Sequence, residues 1–129
     1  MMGDNMIKIA VNGACGKMCT LTSQNISKTY NMKLVSAIDI NNVGGDIGYI
    51  IREGKLDVTI EHPDDIIDIL EISNPDVLID FTRPDAATKN IISSANYGID
   101  MVIGTTGFTS EQMELIKKSI KDNDISAVI

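Results

Sequence analysis

Four stretches of this chain carry residue types whose spacing could do chemistry together. The first is Val11-Asn12-Gly13-Ala14-Cys15-Gly16-Lys17-Met18-Cys19. Gly13 permits a tight turn, Gly16 lets backbone come close to an anion, and Lys17 adds a cation beside it. The spacing is G-x-x-G, and Cys19 stands where a third small residue would let a helix pack close to a strand. No Gly-Lys-Ser/Thr follows a four-residue spacer, so it is not the mononucleotide phosphate loop. The second stretch is Asp39, an acid at the distance from Gly13 where a carboxylate meets ribose hydroxyls. The third and fourth are Asp80-Phe81-Thr82-Arg83-Pro84 and Gly104-Thr105-Thr106-Gly107-Phe108, where glycines, hydroxyls and amides could hydrogen-bond a carboxamide. Each stretch taken alone also suits a plain turn or strand end. Together they describe a dinucleotide site. No Lys or Arg follows Asp39 until Arg52, so a 2′-phosphate finds no cation in that loop; NADH is expected to be preferred, with NADPH as the alternative.

Such a site needs a strand before each stretch and a helix after it. Residues 7–11 form a β-rich run ending at Asn12-Gly13, and residues 34–39 a second. Between them Met18, Leu21, Ile26 and Tyr30 recur at helical spacing and predict an apolar helix face. A Gly/Asn-rich loop leads to a third strand near 58–60. Pro63 with Asp64 and Asp65 opens a short helix, as proline and acids suit a first turn. Residues 76–81 predict a fourth strand, and a helix follows from Pro84 to about Tyr97 with Gly98 as its cap. Residues 101–103 predict the fifth strand. Thr109 and Gln112 make a capping box for a last helix with Met113, Leu115, Ile116 and Ile120 on its apolar side. Residues 125–129 are the sixth apolar run. Strands that read as continuous apolar runs alternate with helices, the pattern of a sheet covered on both faces. The expected fold is a Rossmann-type, doubly wound, mainly parallel six-stranded α/β sheet in three layers, occupying residues 6–129 after a loose polar leader at 1–5.

Composition narrows the partners. With 129 residues the chain suits one domain, and 4% aromatics with no Trp demand an aliphatic core. Eleven Lys plus Arg against 18 Asp plus Glu leave a formal net charge of −7, which disfavours nucleic acid and anionic membranes. Phosphate recognition must then be local. Two Cys make no disulfide framework at this length, so a reducing cytoplasm is the expected compartment. Cys15 and Cys19, without a His or Asp cluster, read as inert thiols rather than a metal set. The lone His62, just before Pro63, reads as a helix-flanking residue.

The ordered set Gly13-Ala14-Cys15-Gly16-Lys17-Met18, Asp39, Asp80-Phe81-Thr82-Arg83-Pro84 and Val102-Ile103-Gly104-Thr105-Thr106-Gly107-Phe108 resembles the dihydrodipicolinate reductase family. The resemblance implies an oxidoreductase of the diaminopimelate route to lysine that reduces 4-hydroxy-tetrahydrodipicolinate to tetrahydrodipicolinate with NADH or NADPH. By position, Gly13, Ala14, Cys15, Gly16, Lys17 and Met18 would hold the pyrophosphate and Asp39 the adenosine ribose. Gly104, Thr105 and Thr106 would border the nicotinamide, with Phe81 near that end. Three positions depart from the family: Lys17 replaces an Arg, Cys19 a Gly, and Ile40 a residue that is often basic. The family's pattern continues into an Asn-Phe-Ser segment and a second domain with a His-His pair, a Lys and a Ser-Gly-Thr loop. Those residues do not occur here, so this chain is expected to hold the cofactor, to have no catalytic residues or metal, and to be monomeric although the family forms homo-oligomers. Two other readings are the nucleotide half of a related NAD-dependent amine or amino-acid dehydrogenase, and a non-catalytic nucleotide-sensing module.

Overall fold

The computed structural model describes residues 6–129, and the expected leader at 1–5 lies outside the described residues. The elements run β1 (Ile7–Asn12), α1 (Lys17–Lys28), β2 (Met32–Ile38), α2 (Ile47–Ile50), β3 (Ile60–Glu61), α3 (Ile66–Ser73), β4 (Val77–Asp80), α4 (Pro84–Tyr97), β5 (Asp100–Ile103), α5 (Ser110–Asp122) and β6 (Ala127–Val128). A single 3-10 turn, Pro63–Asp65, precedes α3, with the His62 ring accepting from the Asp64 amide. The sheet order is β3-β2-β1-β4-β5-β6, and each neighbouring pair is parallel. The chain winds outward from β1 in one direction and returns to build outward from β4 in the other. That reversal puts the ligand crevice of such sheets at the carboxyl ends of β1 and β4.

Alternation along the strands sorts the core to two faces. Ile9 and Val11 pack with Ala37, Cys19 and Ile26 under α1, while Ala10 and Leu78 pack with Ile69, Leu70, Ile91 and Ile116 under α3, α4 and α5. The fully buried hydrophobic residues are Ile, Leu, Val, Ala, Met and Cys, so the core is aliphatic as the composition requires. Each fully buried Ile contributes about 1.5–3 kcal/mol of transfer free energy.

Two local expectations are corrected. On α1, Met18 and Leu21 are half exposed and Tyr30 lies past the helix in solvent; only Ile26 of the expected face is buried. The inward face is instead Cys19, Ser23 and Ile26. Small side chains win there because α1 sits close to β1: the Cys19 thiol donates to the Asn12 carbonyl at 3.5 Å. The third strand is also shifted, to Ile60–Glu61. Val58 and Thr59 turn back to the loop, where Ile47 N–H donates to the Val58 carbonyl and Asp46 bridges Thr59. Leu115, expected on the apolar side of α5, is likewise half exposed, and Ile116 carries that helix's burial.

Candidate functional site

The carboxyl ends of β1, β2, β4 and β5 converge on one cleft, in two connected parts that share Gly16, Phe81 and Thr82. One part encloses about 380 Å³ and is lined by Gly13, Cys15, Gly16, Asp39, Ile40 and Arg83, among others. The other encloses about 280 Å³ and is lined by Gly16, Lys17, Met18, Phe81, Gly104, Thr105 and Thr106, among others. The predicted site residues are thus brought together, with Ala14 fully buried behind the turn as its support.

The β1–α1 turn is tight because Gly13 holds φ +85°, a conformation that other residues adopt at a cost. A Cβ there would also run into the Phe81 carbonyl oxygen. The turn's own amides are largely spent on shaping it. Gly13 and Ala14 N–H both donate to the Ile38 carbonyl, at 2.8 and 3.0 Å, and Gly16 N–H donates to the Gly13 carbonyl at 2.9 Å. The donors left for an anion are those of the first turn of α1. Gly16 is its N-cap with no side-chain capping bond, and no acid lies in that turn. Orphan N–H groups and the positive end of the helix dipole therefore face the cleft, with Lys17 beside them.

Asp39 sits at the carboxyl end of β2 and is 8% exposed. One carboxylate oxygen accepts from Cys15 N–H at 2.8 Å, the other from Asn41 N–H at 2.8 Å. These bonds aim the carboxylate at the cleft and leave acceptor capacity for hydroxyls, since each oxygen takes more than one donor. Ile40 follows, 68% exposed, with no charge to offer. Arg83 lies on the rim of the same cleft as Asp39 and Ile40. Sequence distance hid that neighbour, as it hid Asn90 and Pro63 on the same wall; only the sheet order brings β4's following turn beside β2's end.

The far part of the cleft rests on Asp80, which is fully buried at the end of β4. Its Oδ2 accepts from the Asn12 amide at 3.0 Å. Its Oδ1 accepts from the Thr82 N–H at 3.1 Å, the Thr82 hydroxyl at 2.8 Å and the Thr105 hydroxyl at 2.9 Å. Burial pushes the Asp80 carboxyl above its ordinary pKa, and the hydrogen bonds from Thr82, Thr105 and Asn12 pull the other way. Thr105 is 6% exposed and its hydroxyl is committed to Asp80, so of the two threonines only Thr106 keeps its side chain in solvent. The Phe81 ring lies against Gly104, where a Cβ would collide with it.

Both thiols are held protonated. Burial first, then the nearby Asp80 and Asp39 charges, push Cys19 up to about 12. Burial also raises Cys15, with a hydrogen bond from Asn42 opposing it. That suits packing rather than thiolate chemistry. Among the described residues no cluster of three or more His, Cys, Asp or Glu could hold a metal ion. Among the same residues no helix is long and apolar enough to cross a membrane.

The family model described as "Dihydrodipicolinate reductase, N-terminus" matches residues 7–129. The 4-hydroxy-tetrahydrodipicolinate reductase of Methanocaldococcus jannaschii is 42% identical over 127 residues, covering 96% of this chain and 46% of that protein. The chain thus spans about half the length of the curated relatives it matches. Among solved structures, the dipicolinate-bound dihydrodipicolinate reductase from Paenisporosarcina sp. TG-14 superposes with a TM-score of 0.75 at 25% identity, over 95% of this chain and 46% of that one. A Rex-family repressor in complex with β-NAD+ and operator DNA gives a TM-score of 0.65 at 16% identity, over 95% of this chain and 59% of that one. That last likeness is one of fold alone.

Proposed function

Because this chain belongs to the dihydrodipicolinate reductase N-terminal family, we propose that residues 6–129 form the nucleotide half of a 4-hydroxy-tetrahydrodipicolinate reductase. The dinucleotide would supply the hydride that reduces 4-hydroxy-tetrahydrodipicolinate to tetrahydrodipicolinate, with uptake of a proton and loss of water. The residues here bind and orient. The open first turn of α1, with Lys17 and the Met18 amide, takes the pyrophosphate on the floor that Gly13, Ala14, Cys15 and Gly16 build. Asp39 takes the adenosine ribose hydroxyls, while Gly104, Thr105 and Thr106 border the nicotinamide. The single observation that carries the reading is the helix start with no cap and no acid, opening between Asp39 and Gly104 in one cleft.

NADH is the preferred dinucleotide in this proposal. The exposed position beside Asp39 is Ile40, which gives a 2′-phosphate no partner, and Asp39 would repel that phosphate. Arg83, the cation lining the same part of the cleft as Asp39 among the described residues, works for NADPH. Calorimetric titration of the chain with NADH and NADPH tests both statements. Binding of NADH in the micromolar range and weaker binding of NADPH is the expected result. Failure of both to bind at millimolar concentration removes the nucleotide reading, and tighter NADPH binding removes the preference.

A further inference from the structure

Asp80 is a carboxylate with no exposed surface, and the ion pairs among the described residues do not include it. A buried charge without a cation is costly unless its oxygens are well bonded. Here they are, and the four donors come from three residues in separate parts of the chain. Asn12 closes β1 and is the register partner of Asp80 across the sheet's point of reversal. Thr82 begins the turn toward α4, and Thr105 stands in the segment after β5. The bonds interlock, because the Thr82 N–H is also 2.8 Å from the Thr105 hydroxyl oxygen. Asn12 reaches onward through its carbonyl, which accepts from the Cys19 thiol on the first turn of α1. A continuous line of buried polar contacts therefore runs from the helix start that faces the pyrophosphate to the Gly104–Thr106 segment.

We propose that Asp80 is a positioning residue, which holds the Gly104–Thr106 segment at a set distance from the start of α1 through its bond to the Thr105 hydroxyl. Thr105 then acts as a support whose hydroxyl points into the fold, and the surface presented to the nicotinamide is Gly104 and Thr106. The inference rests on the proposed dinucleotide function and assigns the far end of that site its anchor. Without the anchor the adenosine and pyrophosphate contacts at Asp39 and α1 persist, while the nicotinamide end loses its fixed wall.

The test compares NADH with ADP-ribose, which has the same adenosine and pyrophosphate and lacks the nicotinamide. Affinities of both are measured by calorimetry for the chain and for Asp80→Asn, Thr105→Val, Thr105→Ser and the Asp80→Asn/Thr105→Val pair, with thermal melts of each. The expected result is a loss of about tenfold in NADH affinity for Asp80→Asn and Thr105→Val, with ADP-ribose changed less than twofold. Thr105→Ser keeps the hydroxyl and is expected to bind like the unaltered chain. The pair is expected to lose less than the sum of the two single losses, since both variants act on one hydrogen-bond cluster, Asp80→Asn at its Asn12 side and Thr105→Val at its Thr105 side. Should Asp80→Asn fail to fold, the near-isosteric Thr105→Val carries the test. Equal losses for the two ligands, or no loss in Thr105→Val, overturn the proposal while leaving the nucleotide reading intact. If the unaltered chain binds neither ligand, the function itself falls and this inference with it.

Discussion

The helix after β5 and the helix after β1 begin in opposite ways, although both follow a parallel strand through a turn containing a left-handed glycine. At α5 the Thr109 hydroxyl accepts from Gln112 N–H at 3.1 Å, and Gln112 Oε1 accepts from Thr109 N–H at 2.9 Å. Glu111 adds an acid to that first turn, and Gln112 donates onward to Asp85 at 2.8 Å. At α1 there is no side-chain cap and no first-turn acid, and the N-cap is Gly16. Both helices face the same requirement, that the first N–H groups find acceptors. α5 meets it from within the chain. α1 forgoes about 1 kcal/mol of capping stability and leaves its first donors without a side-chain acceptor, as the proposed pyrophosphate site requires. Under the proposed function, the contrast separates a helix start that serves the fold from one that serves a ligand.

The largest break in that comparison comes from the turn glycines. Gly13 and Gly107 have nearly the same φ, +85° and +87°. A Cβ at Gly107 would make ordinary contact with Pro84 at 3.5 Å, whereas one at Gly13 would collide with the Phe81 backbone. Gly13→Ala is therefore expected to lose about 2–4 kcal/mol, and Gly107→Ala about 1 kcal/mol from backbone strain alone. Denaturant melts followed by circular dichroism read the difference. Equal losses would mean that the β1–α1 turn is no more tightly built than its counterpart.

Next in size is a charge exchange between the two helix starts. Lys17→Glu places an acid in the first turn of α1, as α5 already has, and is expected to raise stability by about 0.5 kcal/mol. The same change sets an anion against the pyrophosphate and should weaken NADH about tenfold, less at high salt. Glu111→Lys is the mirror change on α5: stability should fall by about 0.5 kcal/mol with NADH affinity unaltered. Parallel effects on binding from both changes would show that the long-range field, rather than the α1 start, governs affinity. Below these comes Thr109→Ala, which removes the α5 cap. A loss of about 1 kcal/mol is expected, lowering the melting temperature by about 4 °C, with NADH affinity constant within twofold. An affinity loss as large as that of Lys17→Glu would dissolve the distinction between the two helix starts.

Much of this contrast is legible in the sequence, and the reason is locality. The Thr109/Gln112 box, Gly98 in left-handed conformation at the end of α4, and Pro63 with its acids are signals written within one turn of chain. Strands β1, β4 and β5 are legible as short apolar runs, although one face of β4 is only half-buried and one face of β5 is exposed. What sequence reading missed depends on contacts made across the sheet. Met18 and Leu21 outweigh Cys19 and Ser23 in hydropathy, yet the closeness of α1 to β1 turns the small pair inward. β3 slips because Val58 and Thr59 bond back to the loop before it. Thr105 offers a hydroxyl on paper, and only the end of β4, 25 residues earlier in the chain, shows that Asp80 takes it. Arg83 was visible as a residue, but its place in the same cleft as Asp39 needs the strand order.

The smallest expected effect concerns a third helix start. α2 is capped by Asp46, whose carboxylate accepts from Gly48 N–H and Asp57 N–H, each at 2.7 Å, and from Leu56 N–H at 3.2 Å. Desolvation works against the Asp46 charge, but the amides of Gly48, Leu56 and Asp57, with Lys55 nearby, outweigh it and hold the pKa below the ordinary carboxylate value. A carboxyl with a depressed folded pKa contributes stability above its unfolded pKa, about 3.9, and loses it as pH falls through the lower folded value. Asp80 has the opposite sign: its raised pKa favours the fold at low pH, and that contribution is lost as pH rises through the raised value. Asp46→Asn should therefore leave the neutral plateau of the stability curve slightly lower and make its acid limb shallower, below about pH 4. Asp46 is partly open to solvent, so screening keeps the effect below that of the α5 cap. Melting curves of both proteins between about pH 2 and pH 7 read it, that range spanning the carboxylate titration. Superimposable acid limbs would show that the α2 cap acts through geometry alone, as the neutral Thr109 cap does.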